Sequence, residues 1–143
     1  VLTDVNNTSA CLDVVRMAEG MEIEPILGID FRNGIYQQSG SACQCYIGIA
    51  KNNQGFQELN RHLSEHLHEK KPFEKRAPEL EDTFIVYPFS AVRNTDWIHN
   101  LRCNEFIGIT PRDLNQLRFQ SKYGSPTSPT HSRSETANSE PRT

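Results

Sequence analysis

Apolar residues fall into short runs separated by stripes of helical spacing, and the two patterns alternate along the chain. The opening residues 1–4 read as the end of a strand. Cys11, Val14, Val15 and Ala18 recur at three- and four-residue intervals, which predicts a helix with Ser9 as its cap and Gly20 as its stop. Residues 25–31 form a short apolar run of strand character, and the polar stretch 32–44, with Gly34 and Gly40, reads as a loop. A second strand is expected over 46–50. Asn53 then caps the longest helix, which carries Phe56, Leu59, Leu63 and Leu67 along one face and ends at Pro72. The mixed-charge stretch to Asp82 reads as a solvated connection.

Residues 83–89 are the most apolar strand, and Pro88 places its end or its edge there. A helical turn is expected near 96–100 and a further strand over 105–109. Thr110-Pro111-Arg112-Asp113 has the chemistry of a helix start: a capping threonine, a proline at the first position and an acidic residue at the third. Leu114 and Leu117 then point that helix inward. Such alternation predicts an α/β domain with a largely parallel sheet over residues 1–120, in four or five strand–helix units, fewer than a closed eight-stranded barrel needs. Residues 124–143 contain no Leu, Ile, Val, Phe, Met or Trp. The Ser/Thr/Pro-rich segment 121–143 is therefore expected to be disordered, since it cannot bury enough surface to offset chain entropy.

Charge and composition narrow the function classes. A formal net charge of −3 lacks the overall basic footprint of a nucleic-acid-binding domain. No apolar run reaches the roughly 18 residues of a membrane span. The four cysteines, at 11, 43, 45 and 103, lack two pairs at zinc-finger spacing and read as structural or incidental thiols, compatible with a reducing cytoplasm. His62, His66 and His68 share the long helix, but His68-Glu69 is not followed by a histidine three residues later; solvated helix histidines are expected. Lys70, Lys71, Lys75 and Arg76 alternate with Glu69, Glu74 and Glu79, the pattern of a solvated loop rather than a DNA track. Trp97 and Phe119 read as packing anchors. No nucleophile elbow, P-loop or dinucleotide-binding glycine pattern occurs.

Four segments in order carry a family resemblance. Leu2-Thr3-Asp4-Val5-Asn6-Asn7-Thr8, a helix, and then Pro25-Ile26-Leu27-Gly28-Ile29-Asp30-Phe31 resemble the second and third motifs of the polymerase-and-histidinol-phosphatase (PHP) domain. Tyr46-Ile-Gly-Ile-Ala-Lys-Asn-Asn-Gln-Gly-Phe-Gln-Glu-Leu-Asn60 resembles the segment that follows them in bacterial DNA polymerase III α subunits. The form Thr3-Asp-x-Asn-Asn-Thr-Ser9, with Phe31-Arg-Asn-Gly34 and Tyr46-Ile-Gly-Ile-Ala50, is most similar to that of the Bacteroidota group. The resemblance spans residues 1–120. It implies a partial PHP-type distorted (β/α) barrel, a fragment of the N-terminal domain of a polymerase that extends a primer on a DNA template in the cytoplasm.

The same resemblance bears on chemistry. PHP motifs supply metal ligands at the C-terminal ends of barrel strands, and Asp4 and Asp30 match two of those positions. The histidine usual beside the first is Val5, which cannot ligate a metal. Asp30 is one methylene shorter than the usual Glu, and the His-x-His that opens the family pattern would precede Val1. Asp4 and Asp30 are thus expected to be vestigial metal positions, with Asp4 free to form an Asx turn into the following helix. No catalytic or cofactor-binding residue is expected in this segment. The Mg²⁺-holding carboxylates of the polymerase would lie downstream. Implied partners are the rest of the polymerase chain, the proofreading exonuclease subunit, and DNA through the parent. The other reading is a stand-alone PHP phosphoesterase. The chain opens inside an apolar element, which reads as truncation, and the abrupt change after Gln120 reads as a frameshift or a misread gene end.

Overall fold

The computed structural model describes residues 1–35 and 42–120. The segment 121–143, and with it the expected disorder, lies outside the described residues. Five strands and four helices follow in the order β1 (Leu2–Val5), α1 (Cys11–Ala18), β2 (Leu27–Asn33), β3 (Cys43–Ala50), α2 (Asn53–Glu69), β4 (Thr83–Pro88), α3 (Phe89–Val92), β5 (Glu105–Gly108) and α4 (Pro111–Gln120), with a 3₁₀ turn at Asp96–His99 before β5. The strands form one sheet in sequential order, β1-β2-β3-β4-β5.

The α/β class is as the alternation implied, but the sheet is mixed rather than largely parallel. The outer pairs β1–β2 and β4–β5 are parallel, and the inner pairs β2–β3 and β3–β4 are antiparallel. Chain length explains the inner pairing. The expected loop 32–44 is narrower than its polarity suggested: Arg32 and Asn33 extend β2, and Cys43 and Gln44 begin β3, so β3 returns directly alongside β2. Between β3 and β4, helix α2 carries the chain about 25 Å back at 1.5 Å per residue. The extended residues 71–82 cover the same distance in reverse, so Lys51 N–H meets the Asp82 carbonyl (2.9 Å) and β4 starts beside the end of β3. Five strands in this order form an open sheet.

Strand alternation sorts side chains onto two faces. Ile29, Phe31, Tyr46, Gly48, Ile85 and Tyr87 lie on the inner face and are buried under α2, whose Leu59 and Leu63 complete the core. Leu59 sits directly on Gly48, whose missing side chain makes room for it. The opposite face carries Val5, Asp30, Ile47, Ile49, Phe84, Val86 and Phe106; there Val5, Phe84 and Phe106 are exposed.

Several expected details differ. Ser9 does not cap α1; Ala10 holds the cap position, with no side-chain cap bond of its own. Asn52, not Asn53, caps α2, accepting from Gly55 N–H at 2.9 Å. Leu67, in the last turn of α2, is exposed. The helix ends at Lys70, in the left-handed region at φ 53°, where Lys71 N–H bonds the His66 carbonyl (3.0 Å). Leu114 is 48% exposed rather than inward, and the side chains of Leu117 and Phe119 lie outside the described residues. At the start of α4 only half of the expected cap is present: Asp113 accepts from Thr110 N–H and hydroxyl (2.8 and 2.6 Å), so the threonine hydroxyl donates to that carboxylate, and Asp113 N–H bonds the Thr110 carbonyl instead (2.9 Å). Pro88 ends β4, an interior strand.

Candidate functional site

Asp4 lies near the C-terminal end of β1, as the PHP resemblance implies, but Asp30 is in the middle of β2, because Phe31, Arg32 and Asn33 continue that strand beyond it. The register separates them. Asp4 pairs with Ile29 and Val5 with Asp30, so the two carboxylates project from opposite faces of the sheet. Asp4 Oδ2 accepts from Ala10 N–H (3.2 Å) and so holds the first turn of α1. This replaces the expected Asx turn at Asp4; that geometry belongs to Asn7, whose Oδ1 accepts from Thr8 and Ser9 N–H (2.7 and 3.0 Å).

Asp30 is 5% exposed. Its Oδ2 accepts from Arg32 Nε (3.0 Å), Arg32 Nη2 (2.6 Å) and Gln44 Nε2 (2.9 Å), while Oδ1 is buried with no partner among the described residues. The hydrogen bond to Asp30 pushes the Arg32 guanidinium still further above its ordinary value. Asn6, in the left-handed region at φ 45°, holds this pair in place. Its side chain donates to the Arg32 carbonyl (2.7 Å) and accepts from Arg32 N–H (2.9 Å), and its own N–H reaches the Asp30 carbonyl (3.0 Å). The motif pattern does not single out Asn6. The signal is nonetheless in the sequence, since asparagine after a strand end tolerates the left-handed conformation and imitates a backbone rung.

A second polar group lies under α2. His62 is buried, not solvated; Tyr46 Oη meets its Nε2 at 2.7 Å, and burial pushes its pKa down to about 4. His66 is largely covered too, with Nδ1 3.0 Å from the His62 carbonyl and Nε2 3.2 Å from Glu74 Oε2. Only His68 is exposed as expected. The correction follows from helix phase: His62 follows Leu59 by three positions and precedes Leu63 by one, which puts it on the apolar stripe.

The third group is built on Glu105, also 5% exposed. Tyr87 Oη (2.8 Å), Arg76 Nε (3.2 Å) and Nη2 (2.8 Å), Arg102 N–H (2.8 Å) and Arg102 Nη1 (3.3 Å) all donate to its two oxygens. Arg76 also lies over the Trp97 ring at 5.1 Å. The connection 72–82 is therefore not simply solvated. Phe73 and Ala77 are core residues and Arg76 is engaged, whereas Lys70, Lys71 and Lys75 are exposed. Trp97 packs against Tyr87 at 4.8 Å, as an anchor should.

Among the described residues, no three or more His, Cys, Asp or Glu side chains converge as a metal cluster. Cys11 and Cys45 are buried, Cys43 and Cys103 exposed, and all four are free thiols. No helix among the described residues is long and apolar enough to cross a membrane. Comparison with family models, with curated proteins and with solved structures gives no match.

Proposed function

We propose that the chain is a structural, non-catalytic segment of the PHP-type N-terminal domain of a bacterial DNA polymerase III α subunit. The observation that carries the non-catalytic part is the state of Asp30. At the position where the resembled family places a metal-ligating carboxylate, a guanidinium and a carboxamide hold Oδ2. A cationic side chain already neutralises the carboxylate, and a divalent ion would have to displace it. Asp4 faces the other side of the sheet and Val5 offers no donor, so the residues present do not fit the metal cluster that the family implies.

The polymerase part rests on the ordered motifs, and the parallel pairing of the two strands that carry Asp4 and Asp30 supports it. In this reading the open sheet is part of a distorted (β/α) barrel. The exposed apolar face with Val5, Phe84 and Phe106 is where the rest of the polymerase chain packs. The parent extends primers in the cytoplasm with Mg²⁺ held by carboxylates outside this segment, and contacts DNA and the proofreading exonuclease subunit through its full length. A stand-alone phosphoesterase is the competing reading. The purified chain assayed with Mn²⁺ or Zn²⁺ and an aryl phosphate or phosphodiester separates them. The expected rate equals that of buffer with metal; hydrolysis that disappears in Asp4→Ala or Asp30→Ala overturns the structural reading.

A further inference from the structure

We propose that residues 70–77 form a proton-controlled strap, closed over the core while His66 carries both ring protons and loosened when it loses one. The strap leaves α2 at Lys70 and lays Phe73, 7% exposed, against the aromatic core. The Phe73 ring stacks on His66 (4.8 Å, 23° between planes) and meets Phe31 edge-on at 5.1 Å. Asn33 clamps the Phe73 backbone in both directions: its Nδ2 donates to the carbonyl and its Oδ1 accepts from the N–H, each at 2.8 Å. At the far end, Ala77 N–H donates to Tyr87 Oη at 3.0 Å.

The number of available donors decides the protonation state that closes the strap. His66 Nδ1 faces the His62 carbonyl, which only accepts. His66 Nε2 faces Glu74. The Glu74 carboxyl is held below the usual carboxylate range by its own backbone N–H first and then by His66, so it too only accepts. Both contacts are hydrogen bonds only when each ring nitrogen bears a proton. A neutral imidazole has one N–H and must leave a lone pair opposite an oxygen. The Nδ1 contact lies within one turn of α2 and survives without the strap. The Nε2 contact joins helix to strap and is the one that deprotonation removes.

Neighbouring groups do not supply the same switch. His62 contacts His66 edge-on at 4.4 Å and stays neutral, since burial and the adjacent His66 both lower its pKa. From β3, Tyr46 keeps its phenolic proton because burial pushes its pKa up. From β2, the facing groups are Phe31 and the uncharged Asn33. From β4, the nearest is Tyr87, also pushed up by burial. Glu69 and Lys71, at the helix end, pair with each other.

Amide hydrogen exchange of Phe73 and Ala77, corrected for intrinsic rates and taken across roughly pH 5 to 8, where imidazoles change charge, tests the strap. The strap-opening constant is expected to rise about fivefold toward the alkaline end, as for loss of one partly exposed ion pair. Core amides such as Ile85 should stay unchanged, and ring ¹⁵N shifts should show both His66 nitrogens protonated at the acidic end. Glu74→Gln, at an exposed side chain, should fold normally and give a flat profile, because its carboxamide offers either a donor or an acceptor to Nε2. A flat profile in the unmodified protein, a pH-dependent one in Glu74→Gln, or a neutral His66 ring at the acidic end overturns the proposal.

Discussion

Replacing Glu105 by Gln removes the charge at the most heavily bonded carboxylate while nearly preserving its shape. Its side chain is 1% exposed, and its two oxygens accept five hydrogen bonds from three residues. A carboxamide presents one oxygen and one N–H₂, so at least one donor from Tyr87 or Arg102 would face another donor. Removing one partner of a buried ion pair costs about 3–5 kcal/mol. Arg76 and Arg102 retain 27% and 31% side-chain exposure and can be rehydrated, which places Gln at about 2–3 kcal/mol and Ala toward the top of that range. Urea unfolding followed by the fluorescence of Trp97, the single tryptophan, reads this out beside the network itself. At about 1–3 kcal/mol per molar urea, the midpoint should fall by about 1–2 M. The double change Glu105→Leu with Arg76→Met should cost less than the sum of the two single changes, since it leaves no unpaired charge between them. A midpoint shift for Glu105→Gln of less than about 0.3 M would refute the reasoning, because the carboxylate could not then be bearing these bonds in solution.

Three further sites give outcomes of the same kind. Gly55→Ala, in the first turn of α2, should destabilise by about 2–4 kcal/mol, because its Cβ would lie 1.9 Å from the Asp82 carbonyl oxygen; a gain of stability, the usual result in a helix, would contradict the close approach. His62 has a folded pKa lowered from 6.5 to about 4, so its contribution is complete above pH 6.5 and is lost as pH falls toward 4, by about 3 kcal/mol. His62→Phe should flatten that part of the stability–pH curve in thermal melts. The Glu105 pKa is also lowered, by its donors against the opposing effect of burial, so its contribution is present above about pH 4.5 and goes as pH falls further; Glu105→Gln should lack that second acid loss. Lys70→Gly should be neutral or stabilising by up to about 1 kcal/mol, read from the urea midpoint, because glycine relieves the φ of 53°.

How far the sequence carried depended on whether a feature was set by local chemistry. The strands around Ile29, Tyr46 and Ile85, the helix stripe with Leu59 and Leu63, and the Thr110–Asp113 contact all rest on periodicity or short-range bonding, and they appear where the pattern put them. Strand direction was not legible, because it depends on how far residues 71–82 travel back along α2, and an extended charged segment gives no periodic signal. The burial of His62 is readable from its phase beside Leu59 and Leu63. The engagement of Arg76 is not, since its partner Glu105 is distant in sequence and becomes a neighbour only through the β4–β5 pairing. At the candidate site, the placement of Asp4 and Asp30 on successive strands was legible from the motifs, but the mid-strand position of Asp30 was not, because the polar Arg32 and Asn33 gave no sign of extending β2. The opposite facing of the two carboxylates required the β1–β2 register, and Asp30's capture required Gln44 to enter β3 across from Arg32.

The central claim, that the chain belongs to a polymerase α subunit and serves it structurally, is tested most directly by the nucleotide sequence of its locus. The expected result is a frame beyond codon 120 that resumes the α/β pattern and leads to a palm with clustered carboxylates, and a His-x-His motif encoded upstream of Val1. A locus with neither, read through in every frame on both sides, would contradict it.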